Sequence, residues 1–201
     1  MFYHASPTPG IRILEPRISN HDRPLIYFSR KRENVLVYLS NAVEKYCREN
    51  GFIPAGPWQK WGPYGFDRDG VQRIDEYYPG ALEEAYRGVS GYIYTAEKVK
   101  DCGFQVQIPD AVTAEEPVPV TGCEFVPDAY EEILKAEGQG LIRIRRFEET
   151  SAAFREWNRK TVREEYAAAV DHPEYRFFLE GKFGDILKRE GRETKNEADH
   201  P

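Results

Sequence analysis

Two short segments decide the fold: Phe2-Tyr3-His4-Ala5-Ser6, and then Leu25-Ile26-Tyr27-Phe28-Ser29. Each is a compact run of aromatic and aliphatic residues followed or preceded by proline, which is typical of a β-strand. A histidine two residues into an opening strand is unusual, because strands of this kind are commonly half-buried. If the two strands are neighbours, His4, Tyr27 and Ser29 could line one cleft with an imidazole, an aromatic ring and a hydroxyl group.

The rest of the chain predicts a mixed α+β fold. Predicted strands cover residues 2–4, 25–29, 91–95, 103–108 and 141–145, and predicted helices cover 33–49, 80–87, 128–136 and 174–189, with Ser151 as the N-cap of one more. The predicted strands all lie before residue 148, and the part of the chain after it is predicted to be helical. The pattern therefore predicts an α+β domain over residues 1–148, a helical extension over 149–190 and a disordered tail over 191–201.

Composition limits the function. The chain has 201 residues and a net charge of −6, which suits one domain with an appendage and disfavours a general nucleic-acid binder. Cys47, Cys102 and Cys123 form no C-x-x-C pair, and the histidines lack metal-ligand spacing, so no metal site is expected. No apolar run approaches the ~18 residues of a spanning helix, and no secretory signal is visible. These features predict a cytoplasmic protein that does not engage a membrane.

The two opening segments carry a resemblance to a known family. Phe2-Tyr3-His4-Ala5-Ser6 resembles the His-Gly-Ser strand of ADP-ribosyltransferase-like domains, with Ala5 in place of the usual glycine. Ile26-Tyr27-Phe28-Ser29 and the helix that ends near Tyr46-Cys47 resemble the second motif of poly(ADP-ribose) polymerases and diphtheria-toxin-like enzymes. The resemblance implies an ADP-ribosyltransferase-like fold, with a split mixed or antiparallel β-sheet core, flanking helices and a C-terminal helical extension.

The same resemblance implies a chemistry and a set of roles. The implied substrate is NAD, and the implied activity is ADP-ribosyl transfer or NAD hydrolysis, which belongs to the glycosyltransferase class. His4 would hydrogen-bond a ribose hydroxyl, the backbone of Ala5 would face the nicotinamide carboxamide, and Tyr27 would stack on the nicotinamide ring. Ser6 and Ser29 would complete the NAD site.

Such enzymes also need a carboxylate, because the bond between nicotinamide and ribose breaks through a transition state that resembles an oxocarbenium ion. The family supplies this group from a glutamate before a late strand. The corresponding region of this chain is 109–118, and it offers three candidates: Asp110, Glu115 and Glu116. Glu115 and Glu116 precede a proline, so a solvated turn is the alternative interpretation of that pair.

Three functions are compatible with these observations. The first is a toxin-like effector or modifying enzyme, bacterial or from a phage, whose acceptor is a protein, a nucleic acid, a small molecule or water. The second is a module of the same fold that binds a nucleotide or ADP-ribose without catalysis. The third is a protein-interaction domain that uses the aromatic segment from Trp58 to Phe66, or the ring-bearing residues Phe177, Phe178 and Phe183 of the last helix.

Overall fold

A computed structural model describes residues 1–18, 23–53 and 64–188 as an α+β fold. The strands are β1 (Phe2–Ser6), β2 (Ile13–Leu14), β3 (Arg17–Ile18), β4 (Pro24–Ser29), β5 (Tyr64–Phe66), β6 (Gln72–Asp75), β7 (Gly91–Ala96), β8 (Ala111–Ala114), β9 (Val118–Pro119), β10 (Gly122–Val126) and β11 (Ile142–Arg145). The α-helices are α1 (Ala42–Glu49), α2 (Ala81–Tyr86), α3 (Ala129–Gly138), α4 (Ala152–Ala168) and α5 (Pro173–Lys188), and two 3-10 helices cover Glu33–Leu39 and Phe147–Glu149. The predicted tail over 191–201 and the aromatic pair Trp58 and Trp61 lie outside the described residues.

The main sheet has six strands, and two of its neighbouring strands, β1 and β4, are paired over a short distance only. Its order is β10-β7-β1-β4-β3, and β8 also pairs with β4. β1 pairs with β7 along its full length, but within the described residues its register with β4 consists of one pair, Tyr3 opposite Ser29. Ser29 is also opposite Ala111 of β8. β1 and β4 therefore separate on one side of the row formed by Tyr3, Ser29 and Ala111.

Two further sheets complete the strand content of the described chain. β6 lies between β5, with which it is antiparallel, and β11, with which it is parallel, so this three-stranded sheet is mixed. β2 and β9 form an antiparallel pair of their own. The α+β class predicted from the sequence is thus confirmed.

Side chains alternate between the two faces of the main sheet, and each face is covered by a separate hydrophobic core. The larger core lies under the helices and includes Val35, Leu36, Ile93, Ile133 and Phe178. The smaller core on the opposite face includes Ile26, Phe28, Tyr94, Val112 and Val118, and the β2–β9 pair contributes to it. The strands that carry the candidate site are therefore fixed from both sides.

The C-terminal helices belong to the larger core. Val162 of α4 and Phe178 and Phe183 of α5 are buried in it. Phe177 stacks on Phe52, with ring centroids 5.1 Å apart. The three phenylalanine rings of α5 that suggested an interaction surface are thus engaged within the chain itself.

Two predicted elements differ from the structure. The predicted helix over 33–49 is interrupted at Ser40, whose extended backbone (ψ 139°) separates a 3-10 helix from α1. The predicted strand over 103–108 is wrong, because this segment forms turns. A strand that the sequence analysis does not predict, β8, lies between Asp110 and the pair Glu115 and Glu116. Its four small or β-branched residues, Ala-Val-Thr-Ala, gave too short a pattern to be recognised.

Helix starts were more predictable because local side chains determine them. The Asp128 carboxylate accepts hydrogen bonds from the backbone N–H groups of Tyr130 and Glu131 at the start of α3. The Ser151 hydroxyl accepts one from the N–H of Phe154 at the start of α4, as predicted.

α5 approaches α1 closely at a glycine. A Cβ placed on Gly181 would collide with the hydroxyl and ring of Tyr46, whereas a Cβ on Gly184 would meet only the Lys188 side chain at 3.9 Å. The Tyr46 ring also packs edge-on against Phe178 at 5.8 Å. Gly181 therefore sets the distance between the two helices.

We expect Gly181→Ala to lower the free energy of unfolding by about 1–3 kcal/mol, because overpacking at Tyr46 outweighs the better helix propensity of alanine. Gly184→Ala, in the same helix, is the matched control and should be neutral or stabilising by up to about 1 kcal/mol. Urea denaturation of the three proteins measures both effects. A Gly181→Ala protein as stable as Gly184→Ala would show that the helices are not closely packed there.

Candidate functional site

The imidazole of His4 lies where β1 and β4 separate. Its Nδ1 is 2.8 Å from the main-chain oxygen of Tyr27. A carbonyl oxygen can only accept, so Nδ1–H donates, and in the neutral ring Nε2 is then the acceptor. The side chain of His4 thus takes the place of a strand-to-strand hydrogen bond at the point where the regular ladder ends.

His4 and Tyr27 are brought together through the main chain, not ring to ring. The His4 ring contacts the ring of Phe28, with centroids 5.8 Å apart, and His4 is opposite Tyr94 in the β1–β7 register. Because neighbouring residues of a strand point to opposite faces, the phenol of Tyr27 leaves β4 on the other face, toward the helices. Both residues are half-buried, so solvent reaches each of them.

A second tyrosine accompanies Tyr27 on that face. Burial raises the pKa of Tyr38, and the neighbouring phenols of Tyr64 and Tyr27 raise it further, which places the three hydroxyl groups in one cluster. The hydroxyls of Tyr38 and Tyr64 are 2.8 Å apart. The hydroxyl oxygen of Tyr27 is shielded from solvent although the residue as a whole is half-buried.

Sequence reasoning missed Tyr38. It was placed in one long amphipathic helix, where an aromatic residue among Val35, Leu36, Val37 and Leu39 fits an ordinary core position. The available signal was that Tyr38 is the one aromatic residue among Val35–Leu39, and that a buried phenol hydroxyl needs a hydrogen-bond partner.

Three further residues of the predicted NAD site take part in core packing or in local hydrogen bonds. Ala5 is buried and belongs to the larger core. The Ser29 hydroxyl accepts a hydrogen bond from the N–H of Lys31 at 3.1 Å, and the Ser6 hydroxyl accepts one from the N–H of Thr8 at 3.2 Å. Both hydroxyls therefore stabilise the turns that follow their strands.

The three candidate carboxylates lie at two different ends of β8. Asp110 immediately precedes β8, next to the row of Tyr3, Ser29 and Ala111. Glu115 and Glu116 follow its other end, where they form ion pairs with Arg23 and with Lys100 respectively. Side-chain exposure is 30% for Asp110, 45% for Glu115 and 70% for Glu116. Asp110 is therefore the most sheltered of the three.

Asp110 has an unusual backbone conformation. Its φ of 59° lies in the left-handed region, which Asp and Asn tolerate better than most residues. Its carbonyl accepts a hydrogen bond from the N–H of Arg30 at 2.8 Å, and its carboxylate is 3.0 Å from the Lys31 ammonium group. Standard strand spacing puts the Cα atoms of His4 and Asp110 about 12 Å apart, on two sides of the junction.

The Tyr46-Cys47 end of the second motif lies elsewhere, at the contact between α1 and α5. Cys47 is fully buried, burial raises the pKa of its thiol, and its Sγ is 3.6 Å from the main-chain oxygen of Glu174. A cavity of about 420 Å³ opens beside Tyr46 between α1, α2 and α5, and none of the predicted site residues lines it. This pair therefore has a packing role in the described structure.

No group of three or more His, Cys, Asp or Glu residues in the described parts of the chain is arranged to hold a metal ion. None of the helices there is both long and apolar enough to span a bilayer. In comparisons with known proteins, no family model, no curated protein and no solved structure matches the chain.

One acidic residue holds the outer edge of β8. The Asp101 carboxylate accepts hydrogen bonds from the N–H groups of Gly103 and Thr113, at 2.9 and 3.2 Å. These bonds lower the pKa of Asp101 from its ordinary value of 3.8. The segment that begins at Asp101 therefore stays attached to β8, on the strand that Asp110 precedes.

This arrangement predicts a pH dependence of stability. A lowered native pKa means that the charged Asp101 stabilises the fold above about pH 4, and that this contribution is lost as pH falls through the native pKa. Asp101→Asn should therefore lose less thermal stability than the wild type between pH 7 and pH 3, as measured by the melting temperature. Asp171→Asn, at the exposed turn between α4 and α5, is the control and should follow the wild type. Equal losses in the wild type and Asp101→Asn would contradict the proposed role of the carboxylate.

Proposed function

We propose that the chain binds NAD across the junction of β1, β4 and β8, and transfers ADP-ribose to an acceptor or to water. The observation that carries this proposal is the hydrogen bond from His4 Nδ1–H to the Tyr27 carbonyl, at the point where β1 and β4 separate. It links the two residues that the family resemblance selects, and it orients Nε2 as an acceptor. A ribose hydroxyl is a donor that suits such an acceptor.

The aromatic side of the site would bind the nicotinamide. Tyr27 is half-buried, and Tyr38 lies beside its phenol. An aromatic face holds a flat cationic ring through stacking and cation–π attraction. The shielded hydroxyl groups of the cluster would fix the orientation of the rings.

Asp110 is the candidate for the carboxylate, since it is the one of the three that precedes the strand paired with β4. As the C–N bond to nicotinamide breaks, the bonding electrons leave with the nicotinamide and positive charge develops on the ribose. A carboxylate stabilises that charge and orients the incoming hydroxyl nucleophile. For this role the Asp110 side chain must exchange its contact with Lys31 for one with substrate.

The test is release of nicotinamide from NAD by the full chain, followed by chromatography, in buffer and with cell extract as an acceptor source. His4→Asn keeps a donor near the Tyr27 carbonyl but removes the Nε2 acceptor, and Tyr27→Ala removes the ring. Asp110→Asn keeps the left-handed preference but removes the charge. We expect each variant to remain folded and to lose about tenfold or more of the wild-type rate.

Glu116→Gln is the matched control, because it removes a carboxylate from the same region at the exposed end of β8. It should release nicotinamide at the wild-type rate. A wild-type chain that releases none under either condition would refute the activity. A wild-type rate in both His4→Asn and Tyr27→Ala would refute the assigned roles.

A non-catalytic module that binds NAD or ADP-ribose is the second candidate. The observation that favours it is the ion pair between Asp110 and Lys31 at 3.0 Å, which occupies the proposed catalytic carboxylate. Calorimetric titration with NAD and with ADP-ribose separates the two functions. Saturable binding without nicotinamide release favours the module, whereas release that depends on Asp110 favours the enzyme.

A further inference from the structure

A second site lies away from the strand junction, in the cavity of about 420 Å³ between α1, α2 and α5. This volume falls within the range of roughly 300–1,000 Å³ that is typical of small-molecule sites. Its charged lining residues in the described structure are Lys45 and Glu49 of α1, Glu83 and Glu84 of α2, Arg87 directly after α2, and Lys182 of α5. Three positive and three negative groups therefore face one cavity.

Four of these six groups neutralise one another. The Nε of Arg87 is 2.6 Å from a carboxylate oxygen of Glu83, and the Lys182 ammonium group pairs with the Glu84 carboxylate. Lys182 also lies over the Tyr46 ring, 4.9 Å from its centroid. These pairs form walls of the cavity and leave no net charge for a ligand.

Lys45 is oriented but has no ionic partner in the described part of the chain. Its Nζ donates a hydrogen bond to the Arg87 carbonyl at 3.3 Å. That carbonyl is a neutral acceptor at the negative end of α2, so it positions the ammonium group without cancelling its charge. An ammonium group has three N–H donors, which leaves two of them for a ligand.

Glu49 is the negative group without a partner. It is exposed, and its carboxylate forms neither an ion pair nor a hydrogen bond within the residues that the structure describes. It is also the last residue of α1, where the helix dipole disfavours a negative charge. Lys45 lies one helical turn before it, with about 5–6 Å between the two Cβ atoms, but the two side chains are not paired. The cavity thus presents one cation and one anion side by side.

We propose that this cavity binds a free α-amino acid with an apolar side chain. The ligand carboxylate would accept hydrogen bonds from Lys45, and the ligand ammonium group would donate to Glu49 and offset the unfavourable charge at the end of α1. Because the other charged groups of the lining are paired, the ligand side chain would contact Ala42 and the Tyr46 ring. None of these residues belongs to the proposed NAD site, so the inference does not rest on the proposed function.

The test is NMR titration of the isotope-labelled full-length chain with L-leucine at about pH 6.5, where α-amino groups are protonated and glutamates are ionised. We expect saturable shifts of the amide signals of α1 and α2 at millimolar ligand. L-leucinamide lacks the carboxylate and N-acetyl-L-leucine lacks the ammonium group. Each should therefore bind about two- to fivefold more weakly than L-leucine.

Charge-removing variants assign the two contacts. Lys45→Gln should weaken L-leucine binding about two- to fivefold but leave the affinity for L-leucinamide unchanged, because that ligand has no carboxylate. Glu49→Gln should weaken L-leucine binding equally and leave the affinity for N-acetyl-L-leucine unchanged. The comparison of the three ligands on the wild type keeps the inference testable if a variant does not fold.

Glu44→Gln and Arg48→Gln are the matched controls. Glu44 and Arg48 lie on α1, pair with each other and do not line the cavity, so each variant changes the net charge equally without changing the site. Wild-type affinity in both controls, together with the selective losses above, supports the proposed site. Losses in the controls as large as those in Lys45→Gln and Glu49→Gln would overturn it. Equal affinity for the three ligands, or no saturable binding of the wild type at millimolar L-leucine, would overturn it as well.

Discussion

The structure depends on how the main-chain groups of β4 are satisfied where β1 leaves it. A strand that loses its neighbour exposes unpaired N–H and C=O groups, and such groups cost free energy when they are not hydrated or hydrogen-bonded. Here the His4 imidazole supplies a donor to the Tyr27 carbonyl, so the sheet can open without an unpaired acceptor at that point. The opening of the sheet and the position of His4 are therefore linked, because the imidazole bonds to the carbonyl at the opening. The same imidazole is the group that a ligand in the proposed site would meet.

The surroundings of this opening explain why it can be rigid. Each face of the main sheet has its own core, and residues beside the gap contribute to both: Ala5 to the core under the helices, and Phe28 to the core on the other face. Asp110, immediately before β8, is held by hydrogen bonding of its carbonyl to the Arg30 N–H and by the ion pair of its carboxylate with Lys31. A ligand at this place would thus meet His4 and Tyr27 on strands and Asp110 directly before one, which favours a preorganised site.

The sequence predicted those elements whose cause is local. The strand around Tyr27, the N-cap at Ser151 and the helix after Asp128 each follow from a short pattern of residues, and each is confirmed. The break at Ser40 was not predictable, because the hydrophobic spacing continues through it. β8 was missed because a four-residue strand owes its existence to its partner β4 and to the Asp101 contacts.

For the candidate site, the sequence identified the pair His4 and Tyr27 but not how the two residues contact each other. The imidazole of His4 bonds to the main chain of Tyr27, and the two rings lie on opposite faces of the sheet. The sequence named three carboxylates equally, and only the register of β8 separates Asp110 from Glu115 and Glu116. Tyr38 was not selected at all. The residue types follow directly from the sequence. Which side chains come together depends on how the strands pair, because register and the alternation of side chains between the two faces of a sheet decide which of them are neighbours.

The burial of α4 and α5 in the larger core has a consequence for how the molecule unfolds. Val162, Phe178 and Phe183 contact the same apolar interior as the residues of the first 148 positions. Apolar groups that share one interior lose their protection together, so denaturation should proceed as a single cooperative event and not in stages. The boundary near residue 148 marks a change in the type of secondary structure, and a fragment that stops there would leave an apolar surface without its cover.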